Sequence, residues 1–230
     1  MARDAVSQEF PLRLREGYRS FLSDRFPSER SRYETLARRG QSPEVLIISC
    51  CDSRVSPEVI FDANPGELFV VRNVANLVPP YETGGDYHGT SAALEFAVQA
   101  LKVKHIVVLG HQMCGGIKAF ANEAEPLSPG DFIGKWMSQI RPAAEALGPE
   151  ARKAPDYVSR LELAAIELSL QNLMTFPCVR ILAERGQIAL HGAYFGVADG
   201  VLRVRDPETG AFVPAVDGLD VPARLSPRCD

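Results

Sequence analysis

Val45-Leu46-Ile47-Ile48-Ser49-Cys50-Cys51-Asp52-Ser53-Arg54 decides the fold. Four apolar residues in a row, three of them β-branched, follow Ser42-Pro43 and stop at Ser49. An unbroken run of that length predicts a strand buried on both faces, as in a parallel sheet, rather than a half-exposed one. Leu68-Phe69-Val70-Val71, entered through Pro65-Gly66, and His105-Ile106-Val107-Val108-Leu109, closed by Gly110, repeat the pattern. Between these two runs, Thr90 is placed to N-cap a helix through Ala92, Leu94, Phe96, Ala97 and Leu101. Strands alternating with helices predict an α/β fold with a mostly parallel central sheet flanked by helices.

Working outward, residues 7–39 are rich in charge, with Phe10, Leu14, Phe21, Leu22 and Phe26 at helical spacing. They read as two amphipathic helices broken at Pro27. Helices are expected over 115–124 and 131–147, the second kinked or restarted near Pro142. A long helix over 157–173 carries apolar residues on more than one face, which predicts burial on two sides, as between a core and a partner subunit. The last strands are expected over 188–195 and 201–204, separated by the Asp199-Gly200 turn. The final 25 residues hold four prolines and little periodicity. The expectation is one domain over 1–230, with an N-terminal helical arm over about 1–40 and a C-terminal arm over about 206–230.

Composition narrows the function. Hydrophobic content of 46% and charged content of 23% belong to a globular chain, which excludes wholesale disorder. Twenty-five basic against 29 acidic residues leave −4 with no block of like charge, so neither nucleic acid nor a membrane surface is expected as a partner. No apolar leader and no run near the ~18 residues of a membrane span are visible. Five cysteines, an odd number with Cys50 and Cys51 adjacent, are poor material for a disulfide framework and suit a reducing, cytoplasmic setting.

The chemistry gathers just beyond two of the buried strands, at the sheet edge where ligands bind in open parallel sheets. Cys50, Asp52 and Arg54 are spaced by two, so in an extended segment they project to one side. His111 and Cys114 are spaced by three, one helical turn. Cys50, His111 and Cys114 form a Cys₂His set suited to zinc, and three protein ligands leave the fourth tetrahedral position open, as in a catalytic site. Arg54 offers Asp52 a charge-assisted partner that lowers its pKa and fixes its orientation. Asp52 therefore has two stations, on Arg54 with the metal open or on the metal with the site shut. A single cysteine before a loop is ordinarily a small buried hydrophobe; the conjunction of three soft ligands and an acid–base pair is what points to a metal.

Other candidates carry less. Cys51 should by alternation point away from the site and be packed. Cys178 and Cys229 lack metal-like spacing. His105 and His191 read as structural residues of strands. His88, in a Gly- and Tyr-rich loop, offers an imidazole, the side chain that can shuttle protons to buffer.

Cys50-x-Asp52-Ser53-Arg54 and His111-x-x-Cys114-Gly115-Gly116 resemble the paired motifs of β-class carbonic anhydrases, closest to plant-type and similar bacterial members. The likeness runs from about Arg32, through Gly40–Pro43 and Pro65–Pro80, to Leu190-His191-Gly192. It implies reversible hydration of carbon dioxide through a zinc-bound hydroxide, with Cys50, His111 and Cys114 on zinc and Asp52 with Arg54 as the orienting dyad. It further implies a substrate-binding amide at Gln41, often set against a neighbouring subunit's site, apolar lining at Phe69 and Val74, and a backbone donor at Gly115. Phe96 stands where plant-type members have Tyr, so a hydroxyl contact there is absent. A bicarbonate-regulated subgroup carries a Trp, an Arg and a Tyr around a non-catalytic pocket; here only Arg72 matches, with Ile47 and Phe195 at the other two places. The resemblance therefore implies an open site with Asp52 on Arg54 at neutral pH, and a homodimer at minimum, extending to a tetramer or octamer. A related zinc hydrolase of CS₂ or COS, or a non-catalytic zinc-binding homologue, are the rival readings.

Overall fold

The computed structural model describes residues 9–84 and 88–216, and the chain divides into two compact units, Met1–Gln41 and Ser42–Asp230. Cys229 and the end of the expected C-terminal arm lie outside the described residues.

In the first unit, α1 (Leu12–Ser20) runs through a widened π turn (Phe21–Arg25) into α2 (Phe26–Arg39). The expected break at Pro27 does not occur. Pro27 falls in the first turn of α2, where its missing N–H costs nothing, and the widened turn ahead of it absorbs the clash of its ring. Phe21, Phe26 and Tyr33 pack their rings together in tilted and edge-on contacts, with Phe26 and Tyr33 ring centroids 5.6 Å apart. α2 ends at Gly40, whose φ of 78° few other residues adopt, and whose N–H donates to Leu36 O at 2.9 Å.

The second unit is built on a six-stranded sheet in the order β2-β1-β3-β4-β5-β6. β1 (Val45–Cys50), β2 (Leu68–Asn73), β3 (His105–His111) and β4 (Ala189–Phe195) pair in parallel; β5 (Leu202–Arg205) and β6 (Phe212–Pro214) extend the sheet antiparallel. β3 runs two residues past its expected end, which puts His111 on the strand itself. β6 lies where only an irregular arm was expected; a three-residue edge strand with a terminal proline is too short for period-two reading. Short helix α3 (Pro57–Ile60) follows β1. After β2, α4 (Gly89–Glu95) continues as a π-helical stretch, Phe96–Leu101. Thr90 lies inside α4 rather than capping it, and its hydroxyl instead accepts from Asn73 Nδ2 at 3.3 Å.

Beyond β3 come α5 (Gly115–Ala121), α6 (Phe132–Met137), α7 (Arg141–Leu147), α8 (Tyr157–Leu173) and α9 (Pro177–Glu184). The restart near Pro142 falls at Arg141. α9 was not legible as a separate element, because Leu173 to Pro177 looks like the end of the preceding helix.

α8 explains its own wide stripe within the chain. Ile166 and Leu173 enter the apolar cluster with Leu46, Ile48, Ile106 and Val108; Leu161 and Ala165 enter a second cluster with Cys50, Cys114, Ile140 and Ala144. Its second buried side thus faces α7 and its surroundings, with no partner subunit required. Burying each of these large aliphatic side chains contributes about 1.5–3 kcal/mol. Contact with the sheet is close at Gly110, where a Cβ would fall 2.7 Å from Ile166 Cδ1.

Candidate metal centre

β1 and β3 are neighbours in the sheet, paired through Ser49 and Leu109. Because β1 connects outward to β2 while β3 lies on its other flank, their carboxyl ends form a topological switch point, where open α/β sheets hold ligands. Cys50 ends β1 and His111 ends β3. Cys114 is three residues further along a turn and caps α5, with φ −66° and ψ 120°. The expected helical turn between His111 and Cys114 is therefore absent. Met113 in the left-handed region, φ 58°, folds the chain back and achieves the same convergence. One ligand atom from each of Cys50, His111 and Cys114 lies within 4.8 Å of the others, and all three residues are buried.

The donor set fits a soft divalent metal. His111 Nδ1 lies 2.9 Å from Gln112 O; a carbonyl only accepts, so Nδ1 carries the proton and Nε2 keeps its lone pair. That Nε2 is buried and has no hydrogen-bond partner, the condition of an imidazole aimed at a cation. Cys50 Sγ accepts from Ala75 N–H at 3.3 Å, with Ala75 wholly buried at φ 65°. A hydrogen bond from the Cys114 thiol, against the cost of burial, draws the Cys50 thiol down to about 4; donating that hydrogen bond, together with burial and the neighbouring Cys50, pushes Cys114 well above the ordinary thiol range. Two buried sulfurs this close suit a divalent cation, which binds thiolates in place of protons.

Asp52 and Arg54 meet in a turn, not along an extended segment. Asp52 Oδ1 accepts from Arg54 Nε at 2.9 Å and from its backbone N–H at 3.0 Å, while Oδ2 accepts from Nη2 at 2.7 Å. The bidentate guanidinium holds the Asp52 carboxyl well below the usual carboxylate range. Oδ2 stands 4.0 Å from His111 Nε2, so the carboxylate borders the ligand trio while bound to Arg54. Arg54 Nη2 also donates to Met113 O at 3.0 Å, tying the two motif loops together.

Two residues not singled out for the metal centre hold its backbone. Arg72 donates to Cys50 O at 2.8 Å and to Asp52 O at 2.7 Å. Buried Glu162, on α8, accepts from Cys114 N–H at 2.9 Å and from the Tyr194 hydroxyl at 2.6 Å. An acid between Leu161 and Leu163 on a largely apolar helix was the available signal.

The family model described as "Carbonic anhydrase" matches residues 45–202. "Beta carbonic anhydrase 3" of Arabidopsis thaliana is 33% identical over 192 residues, covering 82% of this chain and 74% of its own length. The solved structure of the β-carbonic anhydrase CcaA superposes with a TM-score of 0.79 at 31% identity, covering 91% of this chain and 92% of that one. One of two tetrameric β-carbonic anhydrases from Sordaria macrospora gives 0.67 at 31%, covering 87% and 94%.

The chain belongs to the carbonic anhydrase family, in its β class.

Within this β-carbonic anhydrase, the residues singled out by sequence fall into three groups. Val74 shares the apolar cluster of Cys50 and Cys114, and its carbonyl accepts from Trp136 Nε1 at 2.8 Å; Gly115 opens α5 with free space beside its Cα. Phe69 and half-exposed Phe96 pack on each other, centroids 5.9 Å apart, with Phe69 against the other cluster, that of Leu46 and Ile106. Gln41 is exposed at the end of the helical unit.

Among the remaining candidates, Cys51 is exposed rather than packed, because the strand ends at Cys50 and alternation stops with it. His105 and His191 pair with each other at 3.1 Å across β3 and β4. His88 Nε2 lies 2.8 Å from Gly84 O, in an exposed loop. Ile47 and Phe195 pack in one apolar cluster, and Arg72 is committed to the carbonyls of the β1 loop.

Proposed function

We propose that this protein catalyses the reversible hydration of carbon dioxide to bicarbonate and a proton at a zinc ion held by Cys50, His111 and Cys114. The observation that carries the reading is the buried Nε2 of His111, without a hydrogen-bond partner among the described residues, within 4.8 Å of the buried sulfurs of Cys50 and Cys114 and with the Asp52–Arg54 pair at its edge. Zinc bound by two thiolates and an imidazole lowers the pKa of a water in its open position and so supplies a nucleophile near neutral pH.

The chain's own residues do the rest. Asp52, ionised throughout the neutral range, acts as a fixed hydrogen-bond acceptor: it orients the nucleophile's proton away from the substrate without taking it. Arg54 keeps that acceptor aimed and neutralises its charge. Val74 supplies an apolar wall, and the Gly115 N–H a donor for the oxygen that gains charge, which suits a small, uncharged, apolar substrate. The Gln41 amide, Phe69 and Phe96 complete the substrate site from a second copy of the chain, since Phe69 belongs to another apolar cluster within its own chain. The working molecule is a homodimer or larger, active as one catalytic domain with its terminal arms in the cytoplasm. No helix of the described residues is long and apolar enough to cross a membrane.

The test is zinc content by mass spectrometry together with stopped-flow CO₂ hydration at about pH 7.0 and about pH 8.8, at matched ionic strength. One zinc per chain and fast turnover at both values is the expected result. Turnover at the higher value alone keeps the reaction and means either that Asp52 closes on the metal near neutrality or that the zinc-bound water has a high pKa. Zinc-loaded protein without turnover at either overturns the reading, and CS₂ or COS hydrolysis is then assayed on the same sample.

A further inference from the structure

Cys114 owes its position to a single turn, and that turn is held from beneath. Three observations meet there. Met113 sits at φ 58°, a backbone conformation that a non-glycine residue holds only where its surroundings enforce it. The next N–H, that of Cys114, points into the protein interior and donates to Glu162 Oε1 at 2.9 Å. Glu162 is itself only 3% exposed, and its other oxygen accepts from the hydroxyl of Tyr194, a residue of β4, at 2.6 Å.

From this geometry we infer that Glu162 is a positioning residue for the metal centre: its carboxylate clamps the Cys114 backbone between α8 and β4, holding the thiolate where Cys50 and His111 converge. The inference rests on the zinc reading above.

The clamp joins elements that the sequence keeps apart. Glu162 lies 48 residues from Cys114 and 32 from Tyr194. Both carboxylate oxygens accept, so the ionised form has a donor on each side despite its burial, which is the condition under which a buried charge is tolerated. Tyr194 in turn fixes which rotamer the carboxylate adopts, and β4 fixes Tyr194 through its pairing with Gly110, one residue before the ligand His111. Losing the clamp leaves the Cys114 N–H buried without an acceptor and the Met113 turn free to relax. The thiolate then samples positions away from the metal, and release becomes faster. An outer partner of a metal ligand typically governs affinity by about 10–100-fold.

The role belongs to hydrogen-bond geometry rather than to charge, and two substitutions separate these. Glu162→Gln removes the charge but keeps an oxygen for the Cys114 N–H and an amide N–H for the Tyr194 oxygen. Glu162→Asp keeps the charge but is one carbon–carbon bond too short to reach both partners. Val179→Ala, in α9 and in the apolar cluster that does not contain Cys114, controls for general loss of stability.

The experiment is zinc release from the purified full-length protein to a chromogenic chelator in stopped flow. Zinc stoichiometry, far-UV circular dichroism and melting temperature are recorded on each sample. Expected release is about tenfold or more faster for Glu162→Asp, within about threefold of the parent for Glu162→Gln, and unchanged for Val179→Ala despite its lower melting temperature. Release from folded Glu162→Asp within twofold of the parent overturns the inference, as does Glu162→Gln releasing as fast as Glu162→Asp. Should Glu162→Asp fail to fold, Glu162→Gln is read against the parent alone, and release more than about threefold faster overturns the inference. A parent protein that holds no zinc sinks the metal reading itself, an outcome distinct from parent and variants all holding zinc equally well.

Discussion

At the scale of single residues, the candidate metal centre separates the donors that could ligate from the residues that hold them. The three donors were legible because soft donors beyond buried strands have few other reasons to gather. Arg72 was legible only as one member of a regulatory trio, yet in the fold it is a clamp on the carbonyls of Cys50 and Asp52, contacts across 22 and 20 residues that no local pattern encodes. Asp52→Asn should keep zinc at one per chain and lower CO₂ hydration by about 10²–10⁴-fold, because the amide presents N–H where an acceptor is needed. Loss of zinc in that variant, measured by mass spectrometry, would instead make Asp52 a structural residue. Arg72→Gln gives up charged hydrogen bonds to two carbonyls and should lower stability by about 1.5–3 kcal/mol in urea titration, with no change in denaturant slope. An unchanged midpoint would mean that the β1 loop holds its shape without it.

Elements were legible in proportion to their length and burial. The parallel strands and α8 stood out because continuous apolar runs and 3.6-residue periodicity survive over many residues. β6 and α3 did not, having three and four residues. Pro27 misled because a proline is read as a break unless the turn before it is known to widen. Close approach of β3 to α8 makes a specific expectation. Gly110→Ala brings a methyl against Ile166 and should destabilise by about 1–3 kcal/mol, read as a lower melting temperature. A melting temperature equal to the parent's would show that Ile166 moves aside without cost.

β3 and β4 also carry the His105–His191 pair. Lost hydration on the sheet surface, and then the charge of His105, lower the pKa of His191 below its ordinary 6.5. The unfolded chain then binds more protons just below that value, so the contribution to stability is present above about 6.5 and is lost as pH falls through the lowered folded value. His191→Gln removes that titration while keeping a polar contact to His105, whose other charged neighbour, Glu44, is paired with Lys104. Its melting temperature should therefore fall less steeply than the parent's between about pH 7 and pH 5. Parallel curves from scanning fluorimetry would assign the acid sensitivity to other groups.

For the whole molecule, the helical unit is the part that its own residues leave unfinished. α1, the π turn and α2 bury none of their residues, while Leu12, Leu14, Tyr18 and Leu22 are all exposed. An amphipathic segment of this length, interleaved with arginines, keeps such a stripe only where a partner covers it. The occupant proposed for it is the second copy of the chain invoked above. The proposed oligomer would then have its physical ground in the N-terminal helices rather than in α8, whose two apolar sides are satisfied internally. Light scattering coupled to size exclusion should return at least twice the 25.1 kDa of one chain at micromolar concentration. Replacing Leu14 and Tyr18 together by Ser should shift that mass toward a single chain and lower turnover with it, because Gln41, Phe69 and Phe96 would then have no neighbouring site to serve. A full-length parent that runs as a monomer with undiminished CO₂ hydration would remove the second copy from the active site and leave the ligand trio, Asp52 and Arg54 as the whole catalytic apparatus.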